Sequence, residues 1–180
     1  MEAILNGREI RVTKRKKFIE KNLEANSFIC LTINMPGRDK RNDFSRKLFY
    51  DAKKTIQKTL IQKKIDILDN FEFSNRAGDV FLIAVALDPK KLKKIAISIE
   101  EKYISGRFLD IDIYKNNNIS VSRSDINYPP RKCFICEQNS KICMRTAKNS
   151  SAELRKHIKK EKIRFNNYLE KKINKKASVI

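Results

Sequence analysis

Tryptophan is absent, and histidine occurs once, at His157. Glycine and proline are scarce, four of each in 180 residues. With no tryptophan and no RNP-like motif, the chain lacks the aromatic stacking set of common RNA-binding modules. Few glycines and prolines beside 41% apolar and 34% charged residues exclude a disordered chain. No apolar run reaches the roughly 20 residues a membrane-spanning helix needs. The opening stretch, MEAILNGREIRVTKRKKF, has no apolar core of a secretory signal. Of the cysteines, Cys133, Cys136 and Cys143 cluster and Cys30 stands apart. That spacing fits a local site or reduced cluster better than a disulfide framework. A cytoplasmic protein is expected.

What the chain has in excess is positive charge, +20 in formal terms. The expected partner is therefore anionic. Nucleic acid, an acidic protein surface and a polyphosphorylated small molecule all satisfy that. Compositional bias is a second explanation for the scattered lysines, because Lys, Asn and Ile are all abundant.

The hydrophobic pattern predicts an α+β protein. Residues 1–26 read as a helical segment with Leu5, Val12, Phe18, Ile19 and Leu23, interrupted at Asn6-Gly7. A strand follows over 27–34. Phe44, Leu48, Ala52, Ile56 and Leu60 recur every fourth residue, which predicts a helix capped by Asn42 or Asp43. Strands are expected over 65–73 and 80–87, with turn chemistry at Asn75-Arg76-Ala77-Gly78 between them. Asp88-Pro89 opens another helix, with Leu92, Ile95, Ala96, Ile99 and Tyr103 as its apolar stripe. Strands over 108–114 and 119–122 complete the order. From Ser27 it is β-α-β-β-α-β plus a hairpin, the ferredoxin-like split βαβ pattern. Tyr128-Pro129-Pro130 breaks the chain. The expected organisation is one domain: a core over 27–127, a cysteine segment over 128–150 and a basic helix over 151–180 with Leu154, Ile158, Phe165 and Leu169 on its apolar side.

Within GRFLDIDI, Gly106 to Ile113, two acids interrupt an apolar run. Strand residues i and i+2 share a face, about 6.5–7 Å apart. Asp110 and Asp112 therefore look one way, and Leu109, Ile111 and Ile113 look the other. Two carboxylates on one face repel unless a cation lies between them. They suit Mg²⁺, a hard ion commonly shared with substrate phosphates in phosphoryl or nucleotidyl transfer. A sheet with one solvated face gives the same alternation with no chemistry. Arg107 before the pair and Ser122-Arg123 after the returning strand favour the functional reading, since arginines bind phosphate bidentately. The pattern also looks like the metal strand of DNA polymerase β-type nucleotidyltransferases. Those usually carry an upstream Gly-Ser pair, which this chain lacks.

A second pattern lies downstream: SRSDINYPPRKCFICEQNSKIC, then Met144-Arg145. Taken with GRFLDIDI, it resembles the CitX family, the citrate lyase holo-acyl-carrier-protein synthases. Gly106, Arg107, Asp110, Asp112, Ser122, Arg123, Pro130, Arg131, Cys133, Cys136, Cys143 and Arg145 carry the resemblance. Near the N-terminus, Arg8-Glu9-Ile10-Arg11 and the Pro36-Gly37 loop with Lys40 agree with it. The family usually has a histidine shortly after the third cysteine; Asn149 stands there in this chain.

The resemblance implies transfer of a phosphoribosyl-dephospho-CoA group from 2'-(5-triphosphoribosyl)-3'-dephospho-CoA to a serine of the apo acyl carrier subunit of citrate lyase, with diphosphate leaving. Asp110 and Asp112 would hold Mg²⁺, and one would act as base. Arg107 and Arg123 would clamp the triphosphate. Gly37 and Lys40 would meet the leaving diphosphate, and Gly106 and Arg131 would complete the substrate-binding set. No membrane or nucleic acid partner is expected. Cys133, Cys136 and Cys143 read as either a structural knuckle or a zinc site. A non-catalytic basic RNA-binding module and a transferase acting on a different carrier, such as that of malonate decarboxylase, are the competing readings.

Overall fold

The computed structural model describes residues 2–177. Met1 and the last three residues of the expected C-terminal helix, 178–180, lie outside them. The chain forms two compact units, Met1–Asn127 and Tyr128–Ile180, divided at the Tyr128-Pro129-Pro130 break.

The first unit is α+β. It contains α1 (Glu2–Lys21), β1 (Ser27–Ile33), α2 (Asp43–Gln62), β2 (Ile67–Asn75), β3 (Gly78–Val85), α3 (Pro89–Lys102), β4 (Leu109–Lys115) and β5 (Ser120–Val121). The strands form one antiparallel sheet in the order β2-β3-β1-β4-β5. One face is apolar at its centre, over β1, β3 and β4. Ile29 and Leu31 of β1 lie opposite Ile83 and Phe81 of β3 and Ile113 and Ile111 of β4. Helix α2 buries Phe44, Leu48, Phe49, Ala52, Ile56 and Leu60. Each fully buried leucine, isoleucine or phenylalanine among them contributes roughly 1.5–3 kcal/mol. Helix α3 lies beside α2, tied by Tyr103 Oη donating to Asp51 Oδ2 at 2.8 Å.

The helix starts follow their capping residues. Asn42 Oδ1 accepts from the Ser45 N–H at 3.0 Å, and Asp88 Oδ1 accepts from the Lys91 N–H at 2.9 Å, with Pro89 in the first turn. The β2–β3 turn is tighter than expected. Asn75 and Gly78 pair directly, and Gly78 takes φ +119°, so both strands are displaced from the expected 65–73 and 80–87. Strand β4 starts one residue late because 106–108 forms a 3-10 turn, and β5 keeps only two residues of the expected four.

Two expectations are corrected. Helix α1 runs unbroken through Asn6-Gly7 and ends at Lys21. Gly7 permits close packing rather than a break. A Cβ there would lie 2.8 Å from Asn75 Oδ1 and 3.0 Å from Ala77 Cβ, and Asn75 Nδ2 donates to the Gly7 carbonyl at 2.9 Å. The buried face of α3 is Leu92, Lys93, Ala96, Ile97 and Glu100, turned from the expected stripe. Its two charged members serve the edge of β4 beyond the short β5: the Ile111 N–H donates to Glu100 Oε1 at 3.1 Å, and Lys93 Nζ donates to the Ile111 carbonyl at 3.4 Å. This protects a sheet edge that would otherwise present unpaired backbone groups.

The second unit contains α4 (Ser140–Arg145) and α5 (Ser151–Ala177). In α5, Leu154, Ile158 and Leu169 are half-buried and Phe165 is buried, as the spacing predicts. Phe165 stacks on Tyr168 at 5.9 Å.

Candidate active site

The second sheet face is divided. Toward β3 it is apolar: Phe28, Cys30, Val80, Leu82 and Ala84 pack with Phe18 and Ile19 of α1. Toward β4 it is acidic. Asp110 and Asp112 alternate with the buried Leu109, Ile111 and Ile113, and both are half-buried on a common face. Asp110 lies opposite Thr32 and Asp112 opposite Cys30 on β1. Thr32 Oγ1 is 3.5 Å from Asp110 Oδ2, within reach of a hydrogen bond.

Helix α1 brings cations to this face. Ile4, Gly7, Arg11, Lys14, Arg15, Phe18 and Asn22 follow the helical repeat and are buried or half-buried, whereas Leu5, Val12 and Leu23 are exposed. Lys14 Nζ lies 4.7 Å from the Phe73 ring centroid, and the Arg15 guanidinium lies 4.1 Å from that of Tyr114. Arg15 Nε donates to Asn118 Oδ1 in the β4–β5 turn at 3.0 Å. The carboxylates and guanidinium groups share one electrostatic neighbourhood. Burial pushes the Cys30 thiol up to about 12; Asp112 raises it further, while Arg11 and Arg15 oppose the rise. Tyr114 is likewise raised to about 12, by burial first and Asp112 second, against Arg15 and Arg11.

The Pro36-Gly37 loop leaves the end of β1 that pairs with the start of β4: Ile33 lies opposite Leu109, and the Asn34 N–H donates to the Phe108 carbonyl at 2.7 Å. Gly37 has φ +90° and open space where a Cβ would stand. Lys40 Nζ donates to the Met35 carbonyl at 2.6 Å, and its pKa is lowered by burial and by Arg8. A cavity of about 900 Å³ opens beside this loop, lined in part by Arg38, Lys40, Arg41 and Arg76. Of these, Arg41 is paired with Asp79 at 2.7 Å.

The remaining expected residues have distinct places. Arg107 is half-buried in the turn that leads into β4. Gly106 is buried where a Cβ would lie 1.7 Å from the Glu100 carbonyl oxygen, which gives it a packing role. Arg123 pairs with Glu100 at 2.9 Å and Glu101 at 3.3 Å, clasping the segment after β5 to α3. Arg131 belongs to the second unit, where its carbonyl accepts from the Ser140 N–H at 2.8 Å. The three clustered cysteine sulfurs, also in that unit, lie within 4.8 Å of one another.

A model of the family CitX, described as apo-citrate lyase phosphoribosyl-dephospho-CoA transferase, matches residues 1–164. The chain belongs to the CitX family. Among its relatives, a Streptococcus pyogenes protein named probable apo-citrate lyase phosphoribosyl-dephospho-CoA transferase is 29% identical over 160 residues, covering 87% of this chain and 82% of the relative. A Vibrio cholerae protein of the same name is 26% identical over 152 residues, covering 83% and 84%. A Haemophilus influenzae protein named CitXG is 27% identical over 154 residues; the alignment covers 86% of this chain and 33% of that protein. CitX membership does not favour the RNA-binding reading. No helix among the described residues is long and apolar enough to cross a membrane.

Sequence reasoning missed the direction in which Arg11 and Arg15 point in this CitX chain. The signal lay in the spacing 4, 7, 11, 14/15, 18, 22, which an apolar count overlooks because the middle turns are cationic.

Proposed function

We propose that the chain transfers the phosphoribosyl-dephospho-CoA group from 2'-(5-triphosphoribosyl)-3'-dephospho-CoA to a serine of the apo acyl carrier subunit of citrate lyase, releasing diphosphate. The observation that carries this reading is the pair Asp110 and Asp112 on one sheet face, next to the arginine-bearing side of α1. Their oxygen-rich donor set fits Mg²⁺. When bound, such an ion neutralises charge on the phosphates and the departing diphosphate. A carboxylate of the pair takes the proton of the incoming serine hydroxyl. The serine oxygen then bonds to the α-phosphorus as the link to diphosphate breaks. Thr32 orients Asp110, Arg11 and Arg15 hold phosphate oxygens, and Lys40 with Arg38 receives the diphosphate end. Arg107, beside the start of β4, adds a further cation for the triphosphate. The clasp on Glu100 favours a supporting role for Arg123 rather than a phosphate clamp. The basic surface suits an acidic carrier protein in the cytoplasm.

The strand order β4-β1-β3-β2 further supports a ferredoxin-like split βαβ core with β5 added at its edge.

The test is mass spectrometry of apo carrier protein incubated with the chain, donor and Mg²⁺. A mass gain equal to the transferred group is expected. Asp110→Asn should remain folded and reduce the rate by about 10²-fold or more. A fully active Asp110→Asn would refute the role given to the pair.

A further inference from the structure

The second unit gathers chemistry that phosphodiester formation does not use. Residues 131–140 close into a short hairpin. Lys132 bridges to Asn139, the Cys133 N–H donates to the Gln138 carbonyl at 2.7 Å, and the Ser140 N–H donates to the Arg131 carbonyl at 2.8 Å. Cys133 and Cys136 lie within this hairpin, and helix α4 carries Cys143. Ala147 then adopts φ +47°, and the Lys148 N–H donates to the Cys143 carbonyl at 3.3 Å. This reversal returns Asn149 to the cysteines. Its Nδ2 lies 3.3 Å from the sulfur of Cys133, 3.6 Å from that of Cys136 and 2.9 Å from that of Cys143. None of the three cysteines is in a disulfide.

These distances can be compared with a metal-centred tetrahedron. With Zn–S bonds of about 2.3 Å, tetrahedral sulfurs stand about 3.8 Å apart. Cys136 and Cys143 are 3.9 Å apart, and all three sulfurs lie within 4.8 Å of one another. A fourth ligand about 2.0 Å from zinc would lie about 3.5 Å from each sulfur. The Asn149 amide meets all three at 2.9–3.6 Å, so it covers the remaining vertex. A half-turn of the amide exchanges Nδ2 for Oδ1, converting a donor toward thiolates into an oxygen ligand. Backbone N–H groups of Ile135 and Cys136 also donate to the Cys133 sulfur, the kind of outer-shell support that metal-bound thiolates use.

We propose that Cys133, Cys136 and Cys143 form a three-thiolate zinc site, with Asn149 at the fourth vertex where the amide oxygen or a water completes the shell. Zinc there staples the hairpin to α4 and contributes folding energy to this part of the chain. An amide is a weaker zinc ligand than an imidazole, so the ion is held but exchangeable. The proposal stands apart from the transferase reading, because its readouts require no carrier protein or donor.

The experiment uses the full chain purified under reducing conditions. Zinc content is measured by elemental mass spectrometry. The metal-free chain is then titrated with Co²⁺, following thiolate-to-cobalt charge-transfer absorption and the visible bands of a tetrahedral ion. One Co²⁺ per chain, displaced by Zn²⁺, is expected. Cys143→Ser should weaken the charge-transfer band, because one of the three thiolates is gone. Asn149→His should tighten Co²⁺ and Zn²⁺ binding by about tenfold or more, the scale reached by outer-shell changes alone. It should also shift the visible bands. This variant retains all three thiols, so it tests the site even if cysteine variants misfold. Zinc should slow hydrogen exchange across 131–149. Substoichiometric Co²⁺, an unchanged charge-transfer band in Cys143→Ser, unaltered affinity in Asn149→His, or a disulfide among the three cysteines would overturn the proposal.

Discussion

Replacing Gly106 by alanine separates a packing glycine from one that touches substrate. The new Cβ would stand 1.7 Å from the Glu100 carbonyl oxygen and 2.7 Å from its carbon. Ordinary contact begins at about 3.4 Å, so about 1.7 Å must be found between two backbone segments. Neither can yield cheaply. The Glu100 carboxylate holds the Ile111 N–H at 3.1 Å and Arg123 at 2.9 Å, and the Gly106 N–H donates to the Tyr103 carbonyl at 3.0 Å. Overpacking a core costs typically 1–3 kcal/mol and sometimes more; a backbone clash belongs at the upper end, about 3–4 kcal/mol. For a chain of this length that corresponds to a fall of roughly 10 °C in Tm. Gly37→Ala is the control: with φ +90° and open space around the new methyl, its cost is about 1–2 kcal/mol of left-handed backbone alone. Thermal unfolding followed by circular dichroism measures both. A Gly106→Ala protein that melts like the parent but fails to transfer would refute the packing argument and make Gly106 a substrate contact.

Arg11→Ala and Arg15→Ala should each lower kcat/KM for the donor by about 10–100-fold, the scale of one charge-assisted hydrogen bond. Steady-state kinetics with varied donor would check this, and a change confined to the carrier KM would count against it. Gly7→Ala should displace α1 from the β2–β3 turn, because its methyl would stand 2.8 Å from Asn75 Oδ1; faster hydrogen exchange in 2–21 is the readout. Asp69 is held below the ordinary carboxylate range, first by the Asn22 amide and then by Lys21. Its carboxylate therefore stabilises the fold above the unfolded value near 3.9, and this contribution is lost as pH falls through the lower folded value. Asp69→Asn should weaken the chain at pH 7 and narrow its difference from the parent in acid, as measured by urea midpoints from pH 7 to pH 2.5.

Local chemistry was legible in the sequence where one residue decides the outcome. Asn42 and Asp88-Pro89 cap their helices, and alternation in GRFLDIDI places Asp110 and Asp112 on one face. What escaped were places where charged side chains occupy positions that a hydrophobic pattern assigns to carbon. Helix α1 meets the sheet partly through Lys14 over Phe73 and Arg15 over Tyr114, so its apolar residues Leu5, Val12 and Leu23 mislead. Helix α3 is turned because Lys93 and Glu100 must reach Ile111 at an edge that β5 is too short to cover. The ion pairs of Arg123 with Glu100 and Glu101 were likewise not legible from its neighbours in sequence. Asn149 read as a missing histidine, and only the fold reveals its amide against three sulfurs.

The divided sheet face bears on whether Asp110 and Asp112 serve function or solvation. Two carboxylates about 7 Å apart repel by roughly 2 kcal/mol at an effective dielectric near 20. A face needed only for solubility would avoid that cost with threonine or lysine. Here the pair lies in the same field as Arg11 and Arg15, which act on Cys30 and Tyr114 against Asp112. Fixed guanidinium groups offset part of the repulsion but also draw in phosphate. A divalent ion between the acids would remove the rest and leave the arginines for the anion. On the proposed reading, acids and arginines on one half-buried face would accept a metal–polyphosphate together better than either component alone. It follows that donor and Mg²⁺ should bind with positive coupling, and that Asp112→Asn should abolish the coupling while leaving weak, metal-independent donor binding. Calorimetric titration of donor with and without Mg²⁺ measures it, and equal affinities in the parent chain would defeat the argument.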